Sequence, residues 1–258
     1  MAQLTVVPDK TAMSQTAGER VTALLEAAIA AQGVAAVSLT GGETPDLLYQ
    51  MLADEKRPWR RRIDWQRLRV FWGDEREVPP DHPESNYGLA YRLLLQYVDV
   101  PTTQVHRMRG ELPASDAGRL YDAVLRARRD QTVGPLFDVM LLGIGSNAHI
   151  ASIFPFSPLL AGREAPPFTE RNISLATGVA VPGLSRWRIT MTPQALLDSA
   201  QIIMIATGAS KAGAIAAAIE GPADVEKYPA QLLRDAGDRV EWIIDSAAAA
   251  RLHGAPPA

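Results

Sequence analysis

Several short segments of this chain are apolar almost from end to end, and most run into a polar turn that carries glycine. VAAVSL (34–39), LRVFWG (68–73), FDVMLLG (137–143) and QIIMIATG (201–208) show this best, with RITMT (188–192) and RVEWIID (239–245) as further strands. A strand wetted on one face alternates apolar and polar residues, whereas a strand covered on both faces does not. Helical spacing fills the gaps between them. Val21, Leu24, Leu25, Ala28 and Ile29 share one face of a helix over 14–32, which Gly33 closes. Strand, glycine turn and helix then recur. The pattern predicts an α/β fold, a doubly wound and largely parallel sheet with helices on both faces. Nothing resembling a linker divides the chain, so 1–258 is expected to form a single α/β domain. The Pro- and Gly-rich stretch 155–187 is expected to be an excursion over the active face.

Further helices are expected over 46–52, 86–97 and 116–129, after Thr192-Pro193, within SKAGAIAAAIEGP and in the alanine-rich tail. Thr44-Pro45 and Thr192-Pro193 look like N-cap and first-turn pairs.

Composition removes several functions. At 258 residues and 47% hydrophobic the chain can bury a full core, and a net charge of −3 argues against a nucleic-acid or membrane-surface binder. Its one basic run, KRPWRRR (56–62), is expected to be a solvated surface turn, with an anion site as the alternative. With no cysteine there is no disulfide, thiolate metal site or cysteine nucleophile. Four scattered histidines without an H-E-x-x-H pattern argue against a metal centre, and no cofactor is expected. MAQLTVVPDK does not read as a signal peptide, and no apolar run approaches the ~20 residues of a membrane helix. A cytoplasmic, monomeric protein acting on a small molecule is the expectation.

In a doubly wound sheet, ligands bind outside the carboxyl ends of the strands. Four glycine-bearing loops leave strands there: TGGETP, GDER, GIGSNAH and TGASK. In the first, Gly41, Gly42, Thr44 and a helix N-terminus offer N–H groups suited to phosphate, although an ordinary tight turn reads the same. Lys211 in TGASK is a mobile cation, or a plain surface lysine; the loop lacks the spacing of a nucleotide-binding motif. Arg76 in GDER can hold an anion in bidentate fashion, and Asp74 can order the loop or move protons; an internal ion pair is the plainer reading. Arg188 is a weaker candidate for the same anion. His149 is the strongest chemical group of the set, because imidazole is a competent base near neutral pH. His82, His106 and His253 have no comparable setting.

Taken together, SLTGGETP (38–45), FWGDEREVPPDHPESN (71–86), GIGSNAHIASIFP (143–155), RITMTPQAL (188–196), TGASK (207–211), PAQLL (229–233) and WIIDSAAA (242–249) resemble the 6-phosphogluconolactonase family. That family belongs with the glucosamine-6-phosphate deaminase and ribose-5-phosphate isomerase fold group. The resemblance spans nearly the whole chain, and ASIFP after His149 favours the lactonase branch over the deaminases. It implies metal-free hydrolysis of 6-phosphoglucono-δ-lactone, with His149 activating water and with Arg76, Lys211 and the Gly41–Thr44 turn holding the phosphate. The alternatives are a sugar-phosphate binder without catalysis and a related isomerase or deaminase. One departure stands out. The family reads Asp-Gly-His where this chain has Asn147-Ala148-His149. Asparagine can orient the ring but brings no charge to an imidazolium, and in a serine-protease triad the comparable change costs about 10⁴ in rate. If position 148 needs positive φ, alanine there costs roughly 1–2 kcal/mol.

Overall fold

The computed structural model describes residues 2–160, 174–183 and 185–253. In chain order the main elements are β1 (Gln3–Val7), α1 (Lys10–Gln32), β2 (Ala35–Leu39), α2 (Asp46–Ala53), α3 (Pro58–Arg62), β3 (Leu68–Trp72), β4 (Asp74–Arg76), α4 (Asn86–Leu93) and α5 (Ala114–Gln131). They are followed by β5 (Phe137–Leu142), β6 (Ala176–Ala180), β7 (Trp187–Met191), α6 (Pro193–Leu197), β8 (Ser199–Ala206), α7 (Ala212–Ile219), β9 (Val240–Asp245) and α8 (Ser246–Ala249).

Six strands form one sheet in the order β1-β9-β8-β5-β2-β3, parallel throughout. The apolar strands are apolar because both faces are covered. Along β5, Met140 and Leu142 enter one core while Val139 and Leu141 enter the other. Helix α1 starts where the Asp9 side chain accepts from the Ala12 N–H at 2.8 Å, and stops at Gly33, whose φ of 82° only glycine adopts cheaply.

Several expectations need correction. RITMT does not join the parallel sheet; β7 pairs antiparallel with β4 and β6 in a separate three-stranded sheet. The helix from residue 86 ends at Leu93 and gives way to a 3₁₀ turn over Leu95–Tyr97. Neither threonine caps its helix through the side chain. Pro45 itself stands at the start of α2 in helical geometry, and the Thr192 hydroxyl is buried without a partner. The basic run 56–62 forms α3, which buries Trp59 and sets Arg62 between Glu19 and Glu26 of α1 at 2.6 and 2.8 Å. Those ion pairs favour a structural use for that arginine. Of 155–187, residues 161–173 and 184 lie outside the described residues; the remainder includes β6 and the start of β7.

Among the described residues no helix is long and apolar enough to cross a membrane.

Candidate active site

Strand order dictates where a ligand fits. From β2 the chain moves outward to β3, then returns to β5 on the other side of β2. The β2–β5 junction is therefore the topological switch point, and the loops beyond it diverge to leave a crevice. A cavity of about 500 Å³ opens there, lined by residues from all four of the loops picked out in the sequence. Gly41, Gly42, Thr44, Asp74, Arg76, His149 and Lys211 all line it. Asn147 and Arg188 do not.

Buried polar contacts hold these loops in place. The Tyr49 hydroxyl donates to Thr40 O at 2.6 Å and accepts from Thr40 N at 3.0 Å, fixing the exit from β2. Tyr121 does the same for Trp72 at the end of β3, at 3.1 and 3.0 Å. Asp245, closing β9, accepts from Gly208 N at 3.0 Å while capping α8 through Ala248 N at 2.8 Å. The bond from Gly208 N positions the loop that carries Lys211.

His149 sits at the end of a compact loop behind β5. Gly145 N donates to His149 O and Ala148 N to Gly145 O, both at 2.9 Å. The imidazole lies so close over Gly145 that a Cβ there would overlap its Cε1 and Nδ1 atoms, and Phe154 packs on it with ring centroids 4.9 Å apart. Nδ1 lies 2.6 Å from Asn147 Oδ1. Since an amide oxygen only accepts, Nδ1 carries the proton and Nε2 is left with a free lone pair. Burial pushes the imidazole below its ordinary pKa; Asp74 opposes this, while Lys211, Arg188 and Arg76 add to it. Neutral imidazole is the resting form. Ala148 has a φ of 64°, so the strain foreseen for alanine is present, held by its carbonyl's bond from Ala230 N at 2.9 Å.

The GDER segment divides its labour. Glu75 is buried and caps α4, accepting from Asn86 N at 2.7 Å, Tyr87 N at 2.8 Å and Ser85 Oγ at 3.0 Å. Burial is the main influence on it and raises its pKa against those bonds. Asp74 accepts from Ser152 Oγ at 2.6 Å and from Asn86 Nδ2 at 3.1 Å. Arg76 donates to Glu84 O, while its buried Nε has no partner. The small sheet sets Arg188 directly opposite Arg76 in register. Like charges paired across strands repel, and burial and Arg76 both lower the pKa of Arg188. Arg188 opens onto a neighbouring cavity with Glu84 and Trp187.

Among the lining residues that the sequence analysis did not single out are Lys10, which lies outside every quoted motif, and Asn86 and Ser210, which lie within quoted segments. Lys10 reaches the rim because β1 pairs with β9, and its Nζ donates to Glu43 O. Asn86 fills the space over Gly41, where a Cβ would overlap its Oδ1. The only clue to Lys10 was the strand-like LTVV followed by a capping Asp9.

A parallel α/β sheet with an imidazole and several cations around one crevice defines a class: a protein whose site is suited to a small phosphorylated or carboxylated molecule. Comparison with known proteins narrows it. A family model described as glucosamine-6-phosphate isomerases/6-phosphogluconolactonase matches residues 8–242, and the chain belongs to that family. A curated 6-phosphogluconolactonase from Nostoc sp. is 34% identical over 251 residues, covering 96% of this chain and 97% of its own. One from Mycobacterium tuberculosis is 35% identical over 259 residues, covering 97% and 98%. The solved 6-phosphogluconolactonase from Trypanosoma brucei aligns with a TM-score of 0.79 at 26% identity, over 98% of this chain and 99% of that one. A monomeric glucosamine-6-phosphate deaminase, 22% identical with a TM-score of 0.79, shares the fold.

Proposed function

We propose that the protein hydrolyses 6-phosphoglucono-δ-lactone to 6-phosphogluconate, with His149 as general base. The observation that carries this is the neutral, Nδ1-anchored imidazole sharing one cavity with Lys10, Arg76 and Lys211. Nε2 takes a proton from water as the water oxygen bonds to the lactone carbonyl carbon. The tetrahedral intermediate then expels the ring oxygen, which receives that proton, and the acid product ionises. The cations hold the phosphate and fix the distance from anchor to carbonyl. Asp74, tied to Ser152 and Asn86, serves as an orienting carboxylate near the ring.

The direct experiment is lactone hydrolysis by purified protein, corrected for spontaneous opening. No acceleration together with thermal stabilisation by 6-phosphogluconate would leave a binder, and ammonia release from glucosamine 6-phosphate would assign a deaminase. Lys211→Ala is expected to raise KM about ten- to hundredfold with a smaller change in kcat, since a hydrogen bond from a charged donor contributes about 1.5–3 kcal/mol. An unchanged KM would remove Lys211 from the phosphate anchor.

The pH profile follows from the charges around the ring. The base must be neutral, so kcat/KM falls as pH drops through the free-enzyme pKa, which lies below the ordinary 6.5. A bound phosphate offsets the cations that depress the ring, so the acid limb of kcat lies at higher pH than that of kcat/KM. Asn147→Asp is expected to shift both limbs upward and to leave the rate equal or higher. Asn147 is exposed, so the added charge is screened by water and acts less strongly than a buried triad acid. A clear fall in rate would show that this loop depends on the neutral amide.

A further inference from the structure

A second cavity, of about 610 Å³, lies at the opposite edge of the large sheet, where β2 and β3 begin. It sits beside edge strand β3 and is roofed by α5. Arg67, Arg69, His106 and Arg128 converge on it, and among the described residues no aspartate or glutamate lines it. In a chain of net charge −3 this is an unusual concentration of one sign. The Arg69 side chain makes no hydrogen bond or ion pair among the described residues. Arg67 meets Asp64 at 3.1 Å, outside the cavity lining.

The cluster is built, not merely adjacent. Phe71 is buried and forms the floor; His106 stacks on it with centroids 4.6 Å apart, and the Arg128 guanidinium lies 5.7 Å from the same ring centroid. His106 is held to the sheet edge by its N–H bond to Val70 O at 2.8 Å, and Arg128 Nε donates to Leu136 O at 2.7 Å. Arg128 is not needed at the end of α5, because Arg129 already reaches Gly134 O and Asp198 there. Burial and Arg69 push Arg128 down to about 10, and burial with Arg69 and Arg128 lowers His106. Arg128 and His106 thus sit beside Arg69 against its repulsion, which Asp138 and Asp198 oppose only at Arg128, and a bound anion offsets that cost. Thr103 and Gln131 add neutral hydrogen-bonding groups suited to hydroxyls.

We propose that this cavity binds a small organic phosphate, with the phosphoryl group between Arg69, Arg128 and His106. The site is separate from the catalytic crevice and stands independently of the lactonase reading. Pyrophosphate is a suitable probe, followed by backbone amide and His106 ring resonances of the whole protein. Two groups of residues shift on titration: 207–211 in the catalytic crevice, and 103–106 with Arg128 at the second cavity. Saturation moves the His106 titration midpoint upward. Arg69→Ala weakens the second set about tenfold or more, leaving the first set and the hydrolysis rate without pyrophosphate unchanged. Thr103→Glu, which places a carboxylate among the arginines, abolishes the second set. Shifts confined to the catalytic crevice would overturn the proposal, and so would a second set whose affinity neither substitution alters.

Discussion

Replacing His149 with alanine is expected to lower kcat for lactone hydrolysis by about 10²–10⁴, the range a general base supplies, with little change in affinity for 6-phosphogluconate. The separation follows from geometry. The cations proposed to hold the phosphate come from β4, from the turn after β8 and from the start of α1, and none hydrogen-bonds to the imidazole. Removing the ring leaves them in place. The void faces Gly145, whose missing side chain enlarges it, and Phe154 bounds it on another side. Free imidazole added to His149→Ala therefore has a slot to enter and is expected to restore part of the rate. His149→Gln keeps a polar group of similar reach but no base, and should be as slow as alanine. A His149→Ala protein that keeps most of its activity, while still binding product, would eliminate the general-base role.

How far the sequence carried depended on the range of the interactions involved. Residues whose role is set by their own segment were legible. Gly33 ends α1 because the next turn needs positive φ, and the strands covered on both faces announce themselves by lacking alternation. The four glycine-bearing segments followed from one rule about strand ends, and each contributes to the crevice lining, although Asp74–Arg76 of GDER forms strand β4 instead of a loop. What escaped was non-local. β1 is short and half-exposed, and its partner β9 pairs Gln3 with Glu241, so LTVV and the Asp9 cap alone did not connect Lys10 with the site. β4 has three residues, too few for any periodicity, yet it is what turns Arg76 toward Arg188. Asn86 looked like an ordinary helix-start residue. Its place is decided by an absent side chain at Gly41, 45 positions earlier, which no spacing rule encodes.

The same logic makes Gly145 as consequential as the base beside it. Its φ is not positive, so backbone conformation does not demand glycine there. The demand is steric, because a Cβ would occupy the place of the imidazole. Gly145→Ala must therefore turn the ring off its anchor and break the 2.6 Å contact between Nδ1 and Asn147 Oδ1. A misplaced base is nearly an absent one, so kcat is expected to fall by about 10² or more. Folding should survive, since the three atoms nearest the added methyl all belong to one movable side chain. A double-mutant cycle gives the decisive comparison. With His149 already alanine, the new methyl enters the emptied space, and Gly145→Ala should cost almost nothing further in rate or stability. Additive losses would mean that Gly145 acts through the loop backbone. In that case the close seat of the imidazole on its glycine would not be what sets the reacting geometry.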